Sequence, residues 1–148
     1  MGDQSGAPAL RPPGREPLPG LTFHHVGLAC RDLAVETAAH GQLGYVPEGE
    51  VFEDAHQGVR GSFQRLGPFR VELLEPLHEH SPLVAWLERG VKLYHVCYET
   101  DDLDEALGRL RAAGHRTVSA AAPAVAFAGR RVAFVMLRTR SLIELLER

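Results

Sequence analysis

Residues 23–28, Phe-His-His-Val-Gly-Leu, reappear 70 residues later as Leu-Tyr-His-Val-Cys-Tyr at positions 93–98. Further along the chain, Val-Glu-Leu-Leu-Glu at 71–75 has a matching copy, Ile-Glu-Leu-Leu-Glu, at 143–147. A repeat of this length is too long for a solenoid unit and too short to give two ordinary domains. We therefore expect two half-domains that share one hydrophobic core, each with a histidine early and a glutamate late.

Length and composition narrow the class of protein. The chain has 148 residues, of which 45% are hydrophobic, a composition typical of one globular domain. Its formal net charge of −3 comes from interleaved signs without a basic stripe, which argues against a nucleic-acid partner. No apolar run reaches the roughly 18 residues of a membrane span, and a signal-peptide core is missing, so a cytoplasmic location is expected. Cys30 and Cys97 are expected to be reduced thiols there.

The first 21 residues differ in composition from the rest of the chain. They contain five prolines and several glycines without a periodic apolar pattern. Such a stretch buries too little surface to offset the entropy lost on ordering. We expect residues 1–21 to be a disordered leader and residues 22–148 to form a single domain.

Apolar periodicity and turn residues predict the same element order, strand-helix-strand-strand-strand, in both halves. The modules span residues 22–77 and 92–148, and a short helix near 82–89 links them. The second strand is predicted at residues 45–51, interrupted by Pro47, and a weak strand is predicted near residues 116–118, followed by a loop. The predicted fold class is therefore α+β, with two βαβββ modules.

Side chains alternate across a strand, which separates the histidines of the repeat from their neighbours. His25 and His95 occupy equivalent positions on the first strand of each module. The residues just before them, His24 and Tyr94, are predicted to point the other way, towards a helix or solvent.

A glutamate lies in the middle of the last strand of each module, with apolar residues on both sides. Burying a carboxylate there without a partner would cost free energy. The simplest alternative is that each strand alternates and keeps its glutamate on a solvated face. Because the repeat pairs each glutamate with an early histidine, pseudo-two-fold symmetry would bring four groups together: His25, Glu72, His95 and Glu144. Two imidazoles and two carboxylates suit Zn²⁺, Mn²⁺, Co²⁺, Ni²⁺ or Fe²⁺ in an open, catalytic site.

Other polar residues are weaker candidates. Asp101-Asp102 is typical of a helix start, and Arg130-Arg131 forms either an anion-binding element or a solvated basic turn. The remaining histidines are expected in exposed loops or at the surface: His40, His56, His78, His80 and His115.

Several motifs follow one another along the chain: His25-Val26-Gly27-Leu28-Ala29, Gln57-Gly58-Val59-Arg60, Val71-Glu72-Leu73-Leu74-Glu75, Ser81-Pro82-Leu83, Tyr94-His95-Val96-Cys97-Tyr98-Glu99, Gly129-Arg130-Arg131-Val132-Ala133-Phe134 and Leu142-Ile143-Glu144-Leu145. Together they resemble the vicinal oxygen chelate (glyoxalase/bleomycin-resistance) superfamily, and within it look most like methylmalonyl-CoA epimerases. The resemblance implies paired βαβββ modules curled into one cupped mixed sheet around a divalent metal. It also implies that the metal ligands are His25, Glu72, His95 and Glu144. The implied substrate is a small molecule, and acyl-CoA thioesters are among the candidates. The resemblance further implies a homodimer.

Two features depart from the epimerase pattern. Some members carry a second, non-ligand glutamate on the third strand as one of two bases, and the aligned residue here is Gly61. The turn at residues 136–141 is shorter than the corresponding epimerase loop, which helps to shape the acyl-CoA pocket. The metal site is therefore expected to follow the family more closely than the substrate does.

The leading hypothesis is a metal-dependent enzyme that abstracts a proton α to a carbonyl through a metal-stabilised enolate. Glu144, or alternatively Glu72, would act as the base. Three alternatives remain open: another isomerase, lyase or dioxygenase of the superfamily acting on a small metabolite or natural-product intermediate, a resistance-type protein that sequesters a ligand, and a partner-binding relic.

Overall fold

The computed structural model describes residues 16–148, which form one eight-stranded mixed sheet with three α-helices. The fold class is confirmed: each module runs strand-helix-strand-strand-strand, and a helix links the two modules. The elements are β1 (Thr22–Ala29), α1 (Leu33–Gln42), β2 (Val46–Asp54), β3 (Val59–Leu66), β4 (Phe69–Pro76), α2 (Pro82–Glu88), β5 (Leu93–Thr100), α3 (Leu103–Ala112), β6 (Arg116–Pro123), β7 (Arg131–Met136) and β8 (Leu142–Glu147), with a 3-10 turn at Val125–Phe127.

The strand order shows how the two modules combine. The sheet runs β2-β3-β4-β1-β5-β8-β7-β6, so each module contributes four adjacent strands. Within the modules β1 pairs parallel with β4 and β5 parallel with β8, whereas β1 and β5 pair antiparallel where the modules meet. The strands that carry the candidate ligands are therefore the four central ones.

Side-chain caps fix the start of each helix. Asp32 accepts a hydrogen bond from the Val35 N–H at 3.0 Å, and Asp102 accepts one from the Glu105 N–H at 2.9 Å. Ser81 caps α2, with a proline at its first position. The prediction that Asp102 begins a helix is confirmed.

Two strand predictions were too short, and both concern the edges of the sheet. β2 continues through Pro47 to Asp54, and β6 runs to Pro123 where a loop was expected beyond residue 118. An edge strand has one unpaired side, so it tolerates prolines and small residues that would interrupt a central strand. Both strands also carry register shifts against their only neighbours.

The predicted leader, residues 1–21, lies only partly within the described part of the chain. Residues 1–15 of the predicted leader lie outside the described part of the chain. Leu18 and Leu21 are partly buried against the cluster that α3, β7 and β8 form. Between residues 16 and 148, no helix is long and apolar enough to cross a membrane.

Candidate metal centre

The four residues that the repeat selects converge between the modules. One ligand atom from each lies within 4.8 Å of the other three, and all four side chains are buried: His25, Glu72, His95 and Glu144. The Nε2 atom of His25 is 3.0 Å from Oε2 of Glu72 and 3.0 Å from Nε2 of His95. The Nε2 atom of His95 is 3.1 Å from Oε2 of Glu144.

Strand register explains the convergence. Gly27 lies opposite both Glu72 and His95, and Cys97 lies opposite both His25 and Glu144. Small side chains at these two crossing points leave space for the larger groups. The His95 ring leaves no room for a side chain at Gly27, because a Cβ atom there would lie 2.3 Å from Cε1 of His95.

The donor set fits a divalent cation. Two carboxylates and two imidazoles are taken out of water together, and buried charges require a partner of opposite sign. Oε2 of Glu144 lies near His95 but outside hydrogen-bonding geometry, so it is a buried oxygen without a donor among the described residues. A divalent metal would satisfy this oxygen and both imidazoles at once.

Proximity shifts the proton affinities of the metal-free cluster. Burial lowers the pKa of His95, but Glu144 and Glu72 outweigh burial and raise the pKa to about 9. Burial likewise works to raise the pKa of Glu144, yet His95 and His25 hold it well below its usual range. Below about pH 9, His95 of the metal-free centre is therefore protonated, and a metal has to displace this proton.

This linkage gives a pH prediction. Because the folded pKa of His95 lies above its ordinary value of 6.5, its contribution to metal-free stability is complete below pH 6.5 and is lost as pH rises through about 9. Metal binding at pH 7 should release protons, and affinity should rise towards pH 9. Calorimetry in buffers of different ionisation enthalpy measures the number of protons released. A metal-binding enthalpy that is the same in all buffers would contradict this account.

The prediction that His24 and Tyr94 point away from the ligands is wrong. β1 has one extra residue between Phe23 and His25, and β5 has one extra residue between Leu93 and His95. Such β-bulges redirect a side chain, so His24 and Tyr94 lie beside the ligands instead of across the sheet from them. Their rings are each 5.1 Å from the neighbouring ligand ring.

Aromatic rings enclose both histidine ligands. Phe63 and Phe127 lie 5.2 and 5.9 Å from the His25 ring, and Phe134 lies 5.4 Å from the His95 ring. The sequence pattern did not predict that these rings lie at the site. Phe63 and Phe134 are equivalent residues of the repeat, which was an available signal, whereas Phe127 lies in the 3-10 turn and had none.

Cys97 is a third potential ligand near His24 and His25. Burial, followed by Glu144 and Glu72, raises the pKa of the Cys97 thiol far above its usual range, so it remains protonated and a poor ligand. Both Cys97 and Cys30 are buried free thiols.

The weaker candidates lie elsewhere. His78 is in an exposed loop with His80, His40 contacts the Glu36 carbonyl, and His115 accepts from the Arg138 N–H. His56 is exposed. Arg130 pairs with Glu99, and Arg131 pairs with Glu147 and Asp104. Neither arginine therefore offers an unpaired positive charge to the four ligands.

Comparison with known proteins identifies the family of the chain. The family model of the Glyoxalase/Bleomycin resistance protein/Dioxygenase superfamily matches residues 24–134. The chain belongs to this superfamily. It is similar to the ethylmalonyl-CoA/methylmalonyl-CoA epimerase of Cereibacter sphaeroides, with 32% identity over 115 residues, covering 76% of this chain and 86% of the relative.

Solved structures give the same result for this superfamily member. A methylmalonyl-CoA epimerase from Mycobacterium tuberculosis superposes with a TM-score of 0.74 at 30% identity, covering 84% of this chain and 86% of the other. The Streptomyces coelicolor epimerase in complex with 2-nitronate-propionyl-CoA gives a TM-score of 0.73 at 26% identity, covering 84% of this chain and 95% of the other.

Proposed function

We propose that the protein is a divalent-metal-dependent enzyme that abstracts a proton α to a carbonyl, as an epimerase or isomerase does. The observation that carries the proposal is the buried cluster of two histidines and two glutamates at the junction of the modules. His25, Glu72, His95 and Glu144 would hold the metal. When bound, a divalent ion supplies a Lewis acid that stabilises negative charge on the substrate oxygen.

Glu144 is the preferred base. Its Oε2 atom makes no hydrogen bond of good geometry, although Nε2 of His95 and Nε2 of His25 lie 3.1 and 3.4 Å away, whereas Oε2 of Glu72 is hydrogen-bonded to His25 at 3.0 Å. Because Glu144 would also be a ligand, it would have to release a carboxylate oxygen from the metal in order to take up the substrate proton.

The space around Gly61 bears on the type of reaction. A Cβ atom at this position would lie 2.6 Å from Cδ2 of Leu74 and 2.7 Å from Cζ of Phe52. A carboxylate at residue 61 is therefore incompatible with the packing here. Inversion at the α-carbon would have to use Glu72 and Glu144 on opposite faces, and a one-base isomerisation by Glu144 alone is the second candidate function.

Acyl-CoA thioesters are the substrate class to test first, because the similar epimerases act on them by name. Metal analysis of the purified protein should find about one ion per chain. Incubated with methylmalonyl-CoA in D₂O, the metal-loaded protein should incorporate deuterium at the α-carbon, and chelation should abolish the incorporation. Exchange that is unaffected by complete metal removal would contradict the proposal. Tight ligand binding without metal or exchange would favour a sequestering protein.

A further inference from the structure

The two histidines of the metal centre differ in the surroundings of their outer ring nitrogens. Nδ1 of His25 lies 2.8 Å from Nδ1 of His24, within hydrogen-bonding distance. Nδ1 of His95 is buried and has no hydrogen-bond partner among the described residues. A ligand histidine is normally oriented by a hydrogen bond at the nitrogen that faces away from the metal. Of the two histidines, only His25 has such a bond.

His24 is itself held by a charged pair. Nη1 of Arg70 lies 3.0 Å from Nε2 of His24. The other two nitrogens of this guanidinium donate to the two carboxylate oxygens of Glu48, each at 2.8 Å. Bidentate pairing fixes the plane of the guanidinium and thereby the direction of its third nitrogen. The four residues form a continuous series of hydrogen bonds, which we name the support network: Glu48, Arg70, His24 and His25.

The donors of the support network determine where His24 carries its proton. A guanidinium has N–H groups but no acceptor, so Nε2 of His24 accepts from Arg70. An imidazole that accepts at one nitrogen carries its proton on the other, which assigns the His24 proton to Nδ1, facing His25. One proton therefore lies between the two Nδ1 atoms, and the rings stay bonded whichever atom carries it. Nε2 of His25 is left facing Glu72 and His95, at 3.0 Å from each.

The support network becomes more enclosed towards the ligand. Side-chain exposure falls from 37% at Glu48 to 20% at Arg70, 11% at His24 and 0% at His25. Two aromatic rings shield the innermost step, because Phe63 and Phe127 pack edge-on against His24 with centroids 6.4 and 5.6 Å away. A hydrogen bond in such surroundings is stronger than one in water, so the bond next to the ligand is the one that the fold protects most.

The second module lacks an equivalent network. The repeat places a different residue at each of the three supporting positions: Tyr94 at that of His24, Val118 at that of Glu48, and Leu142 at that of Arg70. Valine and leucine have no polar side-chain atom, and the Tyr94 ring packs against the His95 ring at 5.1 Å without bonding its Nδ1 atom. The same fold therefore holds one histidine by hydrogen bonds and the other by packing alone.

We propose that Arg70 and His24 are positioning residues for the metal ligand His25. Glu48 fixes Arg70, Arg70 fixes His24, and His24 holds the His25 ring with Nε2 directed at the other ligands. His95 has no such support and depends on the rings around it. This inference rests on the proposed function, because it assigns Nε2 of His25 to the metal.

Substitutions at His24 test the bond to the ligand. His24→Phe keeps an aromatic ring beside Phe63 and Phe127 but removes the hydrogen bond, and it should lower the affinity for Zn²⁺ about 10- to 100-fold in isothermal titration. His24→Asn should restore most of the affinity, since its amide ends at the position of Nδ1 and can bond His25. Wild-type affinity in His24→Phe, or the same loss in both variants, would overturn the proposal.

Two arginines offer a matched pair for the outer part of the network. Arg65 and Arg70 both donate to Glu48, but only Arg70 contacts His24. Methionine keeps an unbranched stem and removes every N–H donor. Arg70→Met should lower the affinity for Zn²⁺ about tenfold, whereas Arg65→Met should stay within about twofold of wild type. Equal affinities in the two variants would contradict a role for Arg70.

The proton position on His24 provides a readout that needs no metal. Long-range ¹H–¹⁵N NMR spectra of the metal-free protein distinguish a ring protonated at Nδ1 from one protonated at Nε2. Wild type and Arg65→Met should show the Nδ1–H form of His24. Arg70→Met should shift the ring towards the Nε2–H form, because Nε2 then loses its donor and faces Glu99 at 3.9 Å. An Nε2–H form in wild type, or no shift in Arg70→Met, would overturn the proposal.

These outcomes separate the inference from the proposed function. Loss of Zn²⁺ affinity in His24→Phe, together with no deuterium exchange by the wild-type protein, would support the positioning role and contradict the enzymatic proposal. Metal-dependent exchange by wild type, with unchanged Zn²⁺ affinity in His24→Phe, would do the reverse.

Discussion

Glu144→Gln is expected to lower the rate of solvent-deuterium exchange into substrate by about 10²- to 10⁴-fold, the contribution of a positioned general base. Glutamine keeps the size of the side chain and one oxygen for the metal but cannot take up a proton at neutral pH. The buried Oε2 atom of Glu144, which makes no hydrogen bond of good geometry, is the reason for expecting the largest effect at this residue.

A matched control for this variant lies on the same strand. Glu147 also belongs to β8, but it pairs with Arg131 at 2.7 Å, away from the metal centre. Glu147→Gln should leave the exchange rate within about twofold of wild type, since a surface ion pair contributes little. Exchange is compared with both proteins saturated with metal, because loss of an anionic ligand should weaken metal binding, and the circular dichroism of Glu144→Gln should match wild type. Wild-type exchange by a folded, metal-loaded Glu144→Gln protein would remove Glu144 as the base.

Gly27→Ala is expected to lower metal affinity at least tenfold, although residue 27 is not a ligand. Its Cβ atom would lie 2.3 Å from Cε1 and 2.6 Å from Nε2 of His95. Because an imidazole ring cannot compress, His95 would have to leave its position towards the other ligands. Displaced ligand orientation costs about 10- to 100-fold in affinity, and overpacking costs about 1–3 kcal/mol of unfolding free energy.

Gly41→Ala is the control for this substitution. Gly41 lies in α1, and a Cβ atom there would meet nothing within 4 Å. Alanine in a helix should increase the unfolding free energy by about 0.5–1 kcal/mol and leave metal affinity unchanged. Isothermal titration with Zn²⁺ measures both proteins. Equal affinity of Gly27→Ala and wild type would show that the ring position at His95 does not limit metal binding.

The repeat in the sequence predicted the architecture well, for a physical reason. Each half cannot bury its own apolar strand faces, so a duplicated βαβββ pattern requires a shared core. The same register argument selected His25, Glu72, His95 and Glu144, which the structure brings within 4.8 Å of one another. Their roles as ligands and base remain predictions.

Features that depend on departures from regular geometry could not be read from the pattern. Strict alternation of side chains predicted the wrong face for His24 and Tyr94. A β-bulge depends on the pairing of two strands distant in sequence, so the local pattern does not reveal it. β6 was predicted too short for a related reason: an edge strand pairs on one side only, so its residues need less strand propensity.

The central claim is that one divalent metal is held by two histidines and two glutamates between the modules. Anomalous scattering from crystals of the metal-loaded protein tests it most directly. We expect a single peak per chain, bonded to Nε2 of His25 and His95 and to carboxylate oxygens of Glu72 and Glu144 at about 2.0–2.2 Å. A peak elsewhere, for example at the exposed pair His78 and His80, or no peak in protein saturated with metal, would contradict the account.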